Sequence, residues 1–587
     1  MSTGVLGRYA RGEISGPVTA RQAQADAWCV VEGRLERMPG LAAKLGIGFD
    51  APPESVLAAA FAQLGAGMLD EIGGNFALLA WDARVREGIL AVDPLGSRSL
   101  FFHDGGRARL CFATEIRELL RLLGSEPGPD EGAVSRWLAF GSLEPDETLF
   151  AGIQRLPGGF YLRLSDGGWT RHRHWRPSFS TPPRTTQDEA ADLVKDGLER
   201  SVSLRSAGLS AGILVSGGLD SSSVAAVASA AGPSSLQAYS ATFPDDAAVD
   251  ESEFIDVAVH QLGLPSRRHP VEAAGALAAA AEHVREWRLP SASPNLFFQR
   301  SLLALARSDG VEVVLDGEGG DELFGCSPYL LSDLLRGLRL RSLRTRSVEL
   351  AGGDTRLGRE FLGTYALRGA APAWLHRARA RVRRRPAAPG WLLPRAAELT
   401  RDRPGRWAWL ELEGPRWWSW LADTLTTRRE RMGVHDHFRR MQASEGIAGA
   451  HPLLDDLGLV QLVLRLPPEL AFDRNFDRPL LRHAMEGLVP DKIRLRPTKS
   501  YFNTVLVDAL KGPDRRELTS LLQPSDAEIR AYVTDDRLRD VINGPTERDH
   551  PFNWSRNAWR LASTELWLRS LAAGRSAEPR SAETVPA

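Results

Sequence analysis

Along the first third of the chain, apolar residues come in short runs broken by turn-forming ones. Residues 75–82 (NFALLAWD), 89–94 (ILAVDP) and 109–113 (RLCFA) have the length of strands and are set apart by such breaks. They predict a β-rich first domain over residues 1–175. A proline-, serine- and threonine-rich stretch follows at 174–186, and residues 176–190 are expected to form a linker. The pattern then changes. Residues 188–201 read as a helix, and the apolar run Ile213, Leu214, Val215 as a short, buried parallel strand. Residues 236–242 and 311–315 read as further strands, with the alanine-rich 274–287 between them as a helix. Such alternation predicts a doubly wound α/β core within residues 191–574. Beyond Leu330 the pattern is mostly helical, and the polar tail 575–587 is expected to be disordered.

Composition narrows this picture. A length of 587 residues suits two domains, and 43% hydrophobic with 25% charged residues describes a soluble globular protein. A net charge of −1 gives no general attraction to nucleic acid or membrane, so neither is expected as a partner. Three scattered cysteines (Cys29, Cys111, Cys326) make neither a disulfide framework nor a zinc cluster. The first eleven residues carry no apolar signal region, and no run approaches a membrane span, so a cytoplasmic location is expected.

The chemistry centres on residues 212–224, GILVSGGLDSSSV. After the strand, Ser216, Gly217 and Gly218 turn the chain, and the Ser-, Val- and Ala-rich segment after Asp220 reads as a helix. Glycines let backbone approach an anion, and a helix N-terminus favours negative charge. The bland alternative is an ordinary strand–turn–helix corner. Asp220 argues against it, because a carboxylate beside phosphate calls for a bridging divalent cation. No Gly-Lys pair occurs in the chain, so this is not a Walker A loop. Ser216 lacks the Gly-x-Ser-x-Gly spacing of a hydrolase nucleophile. A second glycine- and acid-rich turn, Asp316-Gly-Glu-Gly-Gly-Asp-Glu-Leu-Phe-Gly325, follows a predicted strand. It is either a solvated acidic loop or a second wall of the same site at the carboxyl end of the sheet. A third segment, residues 494–502, holds Lys499, one of only five lysines.

Ser-Gly-Gly-Leu-Asp-Ser-Ser resembles the pyrophosphate loop of the ATP pyrophosphatases, and more narrowly of the asparagine synthetase superfamily. Residues 93–102 and 112–116 resemble the class II glutaminase domain that precedes the synthetase domain there. The resemblance implies an N-terminal glutaminase-like α+β (Ntn-type) sandwich, then an adenine-nucleotide α-hydrolase-like synthetase domain with helical insertions. It implies ATP and Mg2+ as cofactors, with Ser216, Gly217, Gly218, Leu219, Asp220 and Ser221 around the pyrophosphate and Leu214, Ala241 and Gly317 facing adenine. It assigns Mg2+ to Asp220 and Asp321, the reacting acyl group to the neighbourhood of Glu318, and the α-phosphate to Lys499. Residues 450–456 match a family segment beside the site, expected to be structural support.

The glutaminase parts are missing. The family nucleophile is a cysteine directly after the initiator methionine; here Ser2 and Thr3 stand there, and the nearest cysteine is Cys29. The segment supplying an oxyanion donor is replaced by residues 32–38, so glutamine hydrolysis should fail. Four stretches, 421–426, 464–472, 477–482 and 496–502, look like lasso peptide cyclases of the same superfamily. That implies adenylation of an Asp or Glu side chain of a core peptide and attack by the peptide's own N-terminal amine. A leader-binding protein and a leader peptidase are then the expected partners. An amide or β-lactam synthetase acting on a small carboxylate is the alternative. Two arginine groups (336, 339, 341, 344, 346 and 377, 379, 381, 383–385) read as solvated helix faces or a docking surface. His435 and His437 are spaced like metal ligands, but without further ligands near them in sequence the pair reads as chance.

Overall fold

The computed structural model describes residues 5–10, 13–15, 26–48, 50–106, 109–231, 233–382, 388–401, 404–428, 433–497, 502–546 and 550–577. Three five-stranded sheets organise them. Two are antiparallel and lie in the first domain. One has the order β2-β1-β7-β6-β8, from β1 (Leu6–Ala10), β2 (Glu13–Ser15), β6 (Phe101–Gly106), β7 (Arg109–Ala113) and β8 (Ile153–Arg155). The other runs β10-β9-β5-β4-β3, from β3 (Ala27–Glu36), β4 (Gly73–Asp82), β5 (Glu87–Val92), β9 (Phe160–Ser165) and β10 (Gly168–Arg173).

The two sheets face each other, and alternation along each strand explains the unbroken apolar runs. Ala77, Leu79 and Trp81 of β4 point inward against Tyr9, Phe102 and Phe112 of the opposite sheet. Phe76, Leu78 and Ala80 point outward and are buried under Leu57 and Phe61 of the helix Pro53–Leu64. On the far side of the other sheet, Phe101, Ala113 and Ile153 pack under the helices Ile116–Leu123 and Glu131–Phe140. A strand buried on both faces has no polar positions to alternate with. The expected α+β sandwich is what forms.

The third sheet is parallel, in the order β13-β12-β11-β14-β15, from β11 (Ser210–Leu214), β12 (Ser235–Thr242), β13 (Ser266–Pro270), β14 (Val313–Leu315) and β15 (Ala448–Ala450). The helix leading into it, Gln187–Ser206, starts on a capping box, with the Thr186 side chain and Glu189 each satisfying the other's backbone N–H. It outruns the predicted 188–201 because the buried stripe Ala190, Val194, Leu198 continues to Val202. Residues 174–186 carry no helix or strand, yet Phe179 stacks edge-on to Trp418 at 5.6 Å, so this stretch is packed down. Beyond Leu330 the chain is mostly helical, as its pattern predicts. The last helix, Pro551–Ala577, runs to within the expected tail. Among the described residues no helix is long and apolar enough to cross a membrane.

Candidate active site

β11 lies between β12 and β14, so the strand order reverses at the β11–β14 boundary, and the loops leaving these two strands border one crevice. Ala211 pairs with Val313 and Ile213 with Leu315, which brings both strands to their carboxyl ends at nearly the same level. After β11, the N–H of Val215 still donates to the Tyr239 carbonyl at 3.0 Å before the chain turns. Gly217 turns it with φ +77°, where a Cβ would stand 2.9 Å from Phe254 Cβ. Ser221 ties the turn together: its hydroxyl accepts from the Ser216 N–H at 3.2 Å and lies 3.1 Å from Ser216 Oγ. The helix Leu219–Ala231 begins on buried Leu219, with Asp220 in its first turn.

The second loop lies directly on the first. A Cβ on Gly317 would collide with the Ser221 backbone nitrogen and come within 2.7 Å of the Asp220 carbonyl carbon. One on Gly320 would meet the Asp220 carboxyl group. Asp316 is buried at the root of this loop. Its Oδ1 accepts from the Glu318 N–H at 3.1 Å and lies 2.9 Å from Nδ1 of the equally buried His451. Burial opposes charge on His451, but Asp316, with Asp455 and Glu318 adding to it, overrides burial and raises the imidazole pKa above its ordinary value. Glu318 is half-buried, and Asp321 is exposed on the short helix Gly320–Phe324.

Arg478, in one of the four cyclase-like stretches, joins the two loops. Its guanidinium contacts Asp220, sits 2.9 Å from Asp321 and 2.8 Å from Asp477, and the side chain is 5% exposed. Its backbone is left-handed (φ 50°) at the N-terminus of the helix Pro479–Ala484, a conformation that costs a non-glycine residue about 1–2 kcal/mol. Strain of this kind concentrates where a side chain must be aimed. Two carboxylates converging on one cationic centre are also the donor set a divalent ion takes beside phosphate oxygens. Asp220 and Asp321 therefore fit Mg2+.

Leu214 and Ala241 pack in one apolar cluster at the ends of neighbouring strands, which suits a flat aromatic ring. Lys499 lies outside the described residues, but both flanks of its segment reach the crevice. Arg496 pairs with Glu251 at 2.5 Å and stacks 3.9 Å over Phe254, the ring beside Gly217. On the other flank Phe502 packs 5.1 Å from Phe243, just past β12. All the other predicted site residues, Leu214, Ser216 to Ser221, Ala241, Gly317, Glu318 and Asp321, lie in or beside the two loops and the strand ends they leave. What the sequence reading missed is Arg478 and the His451–Asp316 pair; the only signal was their place in segments singled out for resemblance.

One expectation is overturned. His435 does not lack company: the fold sets it with His451 and Asp455, and their ligand atoms lie within 4.8 Å of one another. His437 turns instead into the core against His283, with ring centroids 4.8 Å apart. Arg336, Arg339, Arg341 and Arg344 are exposed, as a solvated face requires. Arg379 is exposed too, and the side chains of Arg377, Arg381, Arg383, Arg384 and Arg385 lie outside the described residues.

In the first domain Ser2 and Thr3 are outside the described residues. Cys29 is buried under the outer helix layer, where desolvation, with Glu54 adding to it, pushes its thiol far above the usual range. It is no nucleophile. The segment 32–38 begins as part of β3, and Glu32 accepts a hydrogen bond from Thr114 Oγ1 at 2.6 Å.

The asparagine synthase family model matches residues 193–569. The chain belongs to the asparagine synthase family. A glutamine amidotransferase domain model matches residues 50–175. Among curated relatives, a putative glutamine-hydrolysing asparagine synthetase of Mycobacterium tuberculosis is 31% identical over 286 residues, 47% of this chain and 43% of that protein. The amidase chyE of Penicillium rubens is 25% identical over 298 residues, covering 48% and 44%. Asparagine synthetase 3 of Bacillus subtilis is 24% identical over 466 residues, covering 76% and 69%. The chain thus spans less than half the length of the first two of these relatives.

Proposed function

We propose that this protein is an ATP-dependent amide ligase of the AMP- and pyrophosphate-forming kind, and that its product is the isopeptide macrolactam of a lasso peptide. The observation that carries the ligase reading is the crevice at the sheet's switch point, where two glycine loops bring Asp220 and Asp321 together. Mg2+ held by these carboxylates would neutralise the pyrophosphate. The Ser216–Ser221 turn and the helix behind it present backbone N–H groups to the phosphates. Leu214, Ala241 and Gly317 offer an apolar slot for adenine, and Lys499 is the residue to stabilise charge at the α-phosphate.

In the first half-reaction an Asp or Glu carboxylate of the core peptide attacks the α-phosphorus, forming the acyl–phosphate bond and releasing pyrophosphate. In the second, the peptide's N-terminal amine attacks the acyl carbon, AMP leaves, and a proton must leave the nitrogen. A free α-amino group has a pKa of about 8, and a positioned carboxylate can take the proton that the nitrogen sheds as it attacks. We assign that task to Glu318, which is half-buried. Peptide specificity rests on the four cyclase-like stretches and on a first domain whose only described buried cysteine is no nucleophile. The names of the asparagine synthetase and amidase relatives favour a second reading, amide formation on a small carboxylate with ammonia or another amine.

The deciding experiment is pyrophosphate release from MgATP with and without a leader-cleaved core peptide, read alongside mass spectrometry. Peptide-dependent release and a product lighter by one water establish macrolactam formation. Release driven only by a small carboxylic acid keeps the ligase and discards the cyclase. Glu318→Gln is expected to slow ring closure by roughly 10²–10⁴-fold, the usual share of a general base, while leaving ATP binding in place.

A further inference from the structure

We propose that His435, His451 and Asp455 form a metal site distinct from the Mg2+ carboxylates, for a divalent transition ion of the Zn2+ class, seated behind the Asp316 loop. The three residues come from different parts of the chain. His435 is in the helix Val434–Ser444, His451 directly follows β15, and Asp455 lies four residues further on. One ligand atom from each lies within 4.8 Å of the others. Ligands at about 2.0–2.2 Å from a shared ion stand roughly 3–4 Å apart, so the three groups would draw slightly closer on binding it. His435 is 8% and His451 2% exposed, so these are interior groups, not a surface coincidence.

Donor chemistry and support both fit. Two imidazoles and one carboxylate are a transition-metal set, unlike the all-oxygen Mg2+ pair at Asp220 and Asp321. His451 Nδ1 is taken by Asp316, 2.8 Å from Oδ2, which leaves Nε2 to bind the ion. A carboxylate behind a ligating histidine is the usual outer support of such sites, fixing the tautomer and raising the basicity of the ligand. His435 Nε2 lies 3.5 Å from Asp455 Oδ1 and 3.3 Å from the Ser97 carbonyl oxygen. Asp455 is held from behind, its own carbonyl accepting from Asn75 Nδ2 and from Arg205 Nη2, both at 2.8 Å. Asp316 and Asp455 together balance the charge of a divalent ion in this interior.

The position gives the ion a role. A chain of contacts runs from His451 through Asp316 to the backbone N–H of Glu318, and Asn75 and Ser97 bring in the first domain. The ion would fix the Glu318 loop against the first domain, as a positioning element that touches no reacting atom. This inference concerns metal binding alone and stands whichever acyl substrate the enzyme uses.

The test uses the full-length protein, stripped with a chelator and titrated separately with Zn2+ and Co2+. Wild type is expected to take up a stoichiometric Zn2+ ion, and Co2+ to show the intense visible bands of a low-coordinate nitrogen- and oxygen-bound site. Asp316→Asn should weaken Zn2+ binding by roughly 10–100-fold, the usual effect of losing an outer-shell partner, and His435→Gln and Asp455→Asn by at least as much. Asp321→Asn should bind Zn2+ like wild type. Equal binding by all four variants, or Co2+ on wild type keeping its weak aqua spectrum, would overturn the proposal. The Co2+ spectrum of the unaltered protein decides even where a variant fails to fold.

Discussion

Asp220, Asp321 and Arg478 form the smallest unit on which the site depends. A guanidinium more than a hundred and fifty residues away in sequence ties the two carboxylates together. Replacing either carboxylate by its amide halves the charge available to an ion on the pyrophosphate. Asp220→Asn and Asp321→Asn are each expected to lower substrate-dependent pyrophosphate release by roughly 10²-fold or more, with the far-ultraviolet spectrum unchanged. Arg478→Gln acts differently. It leaves two facing carboxylates without their shared cation, so thermal stability should fall, and MgATP should restore more of it than in wild type. A melt insensitive to MgATP would count against the pairing of these three groups as one charge system.

At the scale of elements, adjacency of β11 and β14 puts two glycine turns in contact, and the absence of side chains lets them stay there. Gly317 is the test position because its missing Cβ faces the backbone of Asp220 and Ser221, which has no flexible end to move aside. Gly317→Ala should push the loops apart and lose pyrophosphate release by 10²-fold or more, judged by the cost of a displaced electrostatic group. The elements themselves were legible in the sequence: 109–113 is a strand to the residue, and the strands 75–82 and 236–242 and the helix 274–287 differ from the observed elements by one or two residues at one end. The boundaries that moved did so for tertiary reasons. Val311 is buried, yet the ladder opens only at Val313, opposite Ala211.

Across the whole molecule, the two domains share a core. Trp137 from the first donates through Nε1 to Thr564 Oγ1 of the last helix at 3.2 Å, and Phe150 stacks edge-on to Trp567 at 5.4 Å. Asp436 is the polar hub of the same seam, 2.9 Å from Arg155 and accepting from Ser99 Oγ at 2.6 Å. Burial opposes its charge, but Arg155, Arg440 and Arg439 hold its carboxyl below the usual range. Asp436→Ala removes the carboxylate that balances the buried Arg155 guanidinium and should cost about 3–5 kcal/mol in denaturant unfolding. His437 and His283 set a pH limit. Burial, helped by Arg440, lowers His437 to about 3, and burial, helped first by His437, lowers His283 as well. The unfolded chain therefore binds protons the folded chain refuses as pH falls below about 6.5. Stability should drop by about 1.4 kcal/mol per pH unit for each imidazole across that window. His437→Leu should flatten this acid limb in a denaturation series at several pH values, and an unchanged slope would reject the assignment.

The sequence by itself determined what depends on neighbours along the chain. Apolar runs set strands and helices, glycine spacing set the two turns, and the side chains of Asp220, Glu318, Asp321 and Lys499 set the chemistry on offer. It also determined that Ser2 and Thr3, not a cysteine, follow the initiator methionine. Only the tertiary structure decided what depends on distance through space. The strand order β13-β12-β11-β14-β15 chose which two loops meet, Arg478 reached both carboxylates from a distant helix, and His435 met His451 and Asp455 rather than its sequence neighbour His437. Local pattern fixes which groups a segment offers; packing fixes which groups end within a few ångströms, and charge and metal chemistry act only at that range.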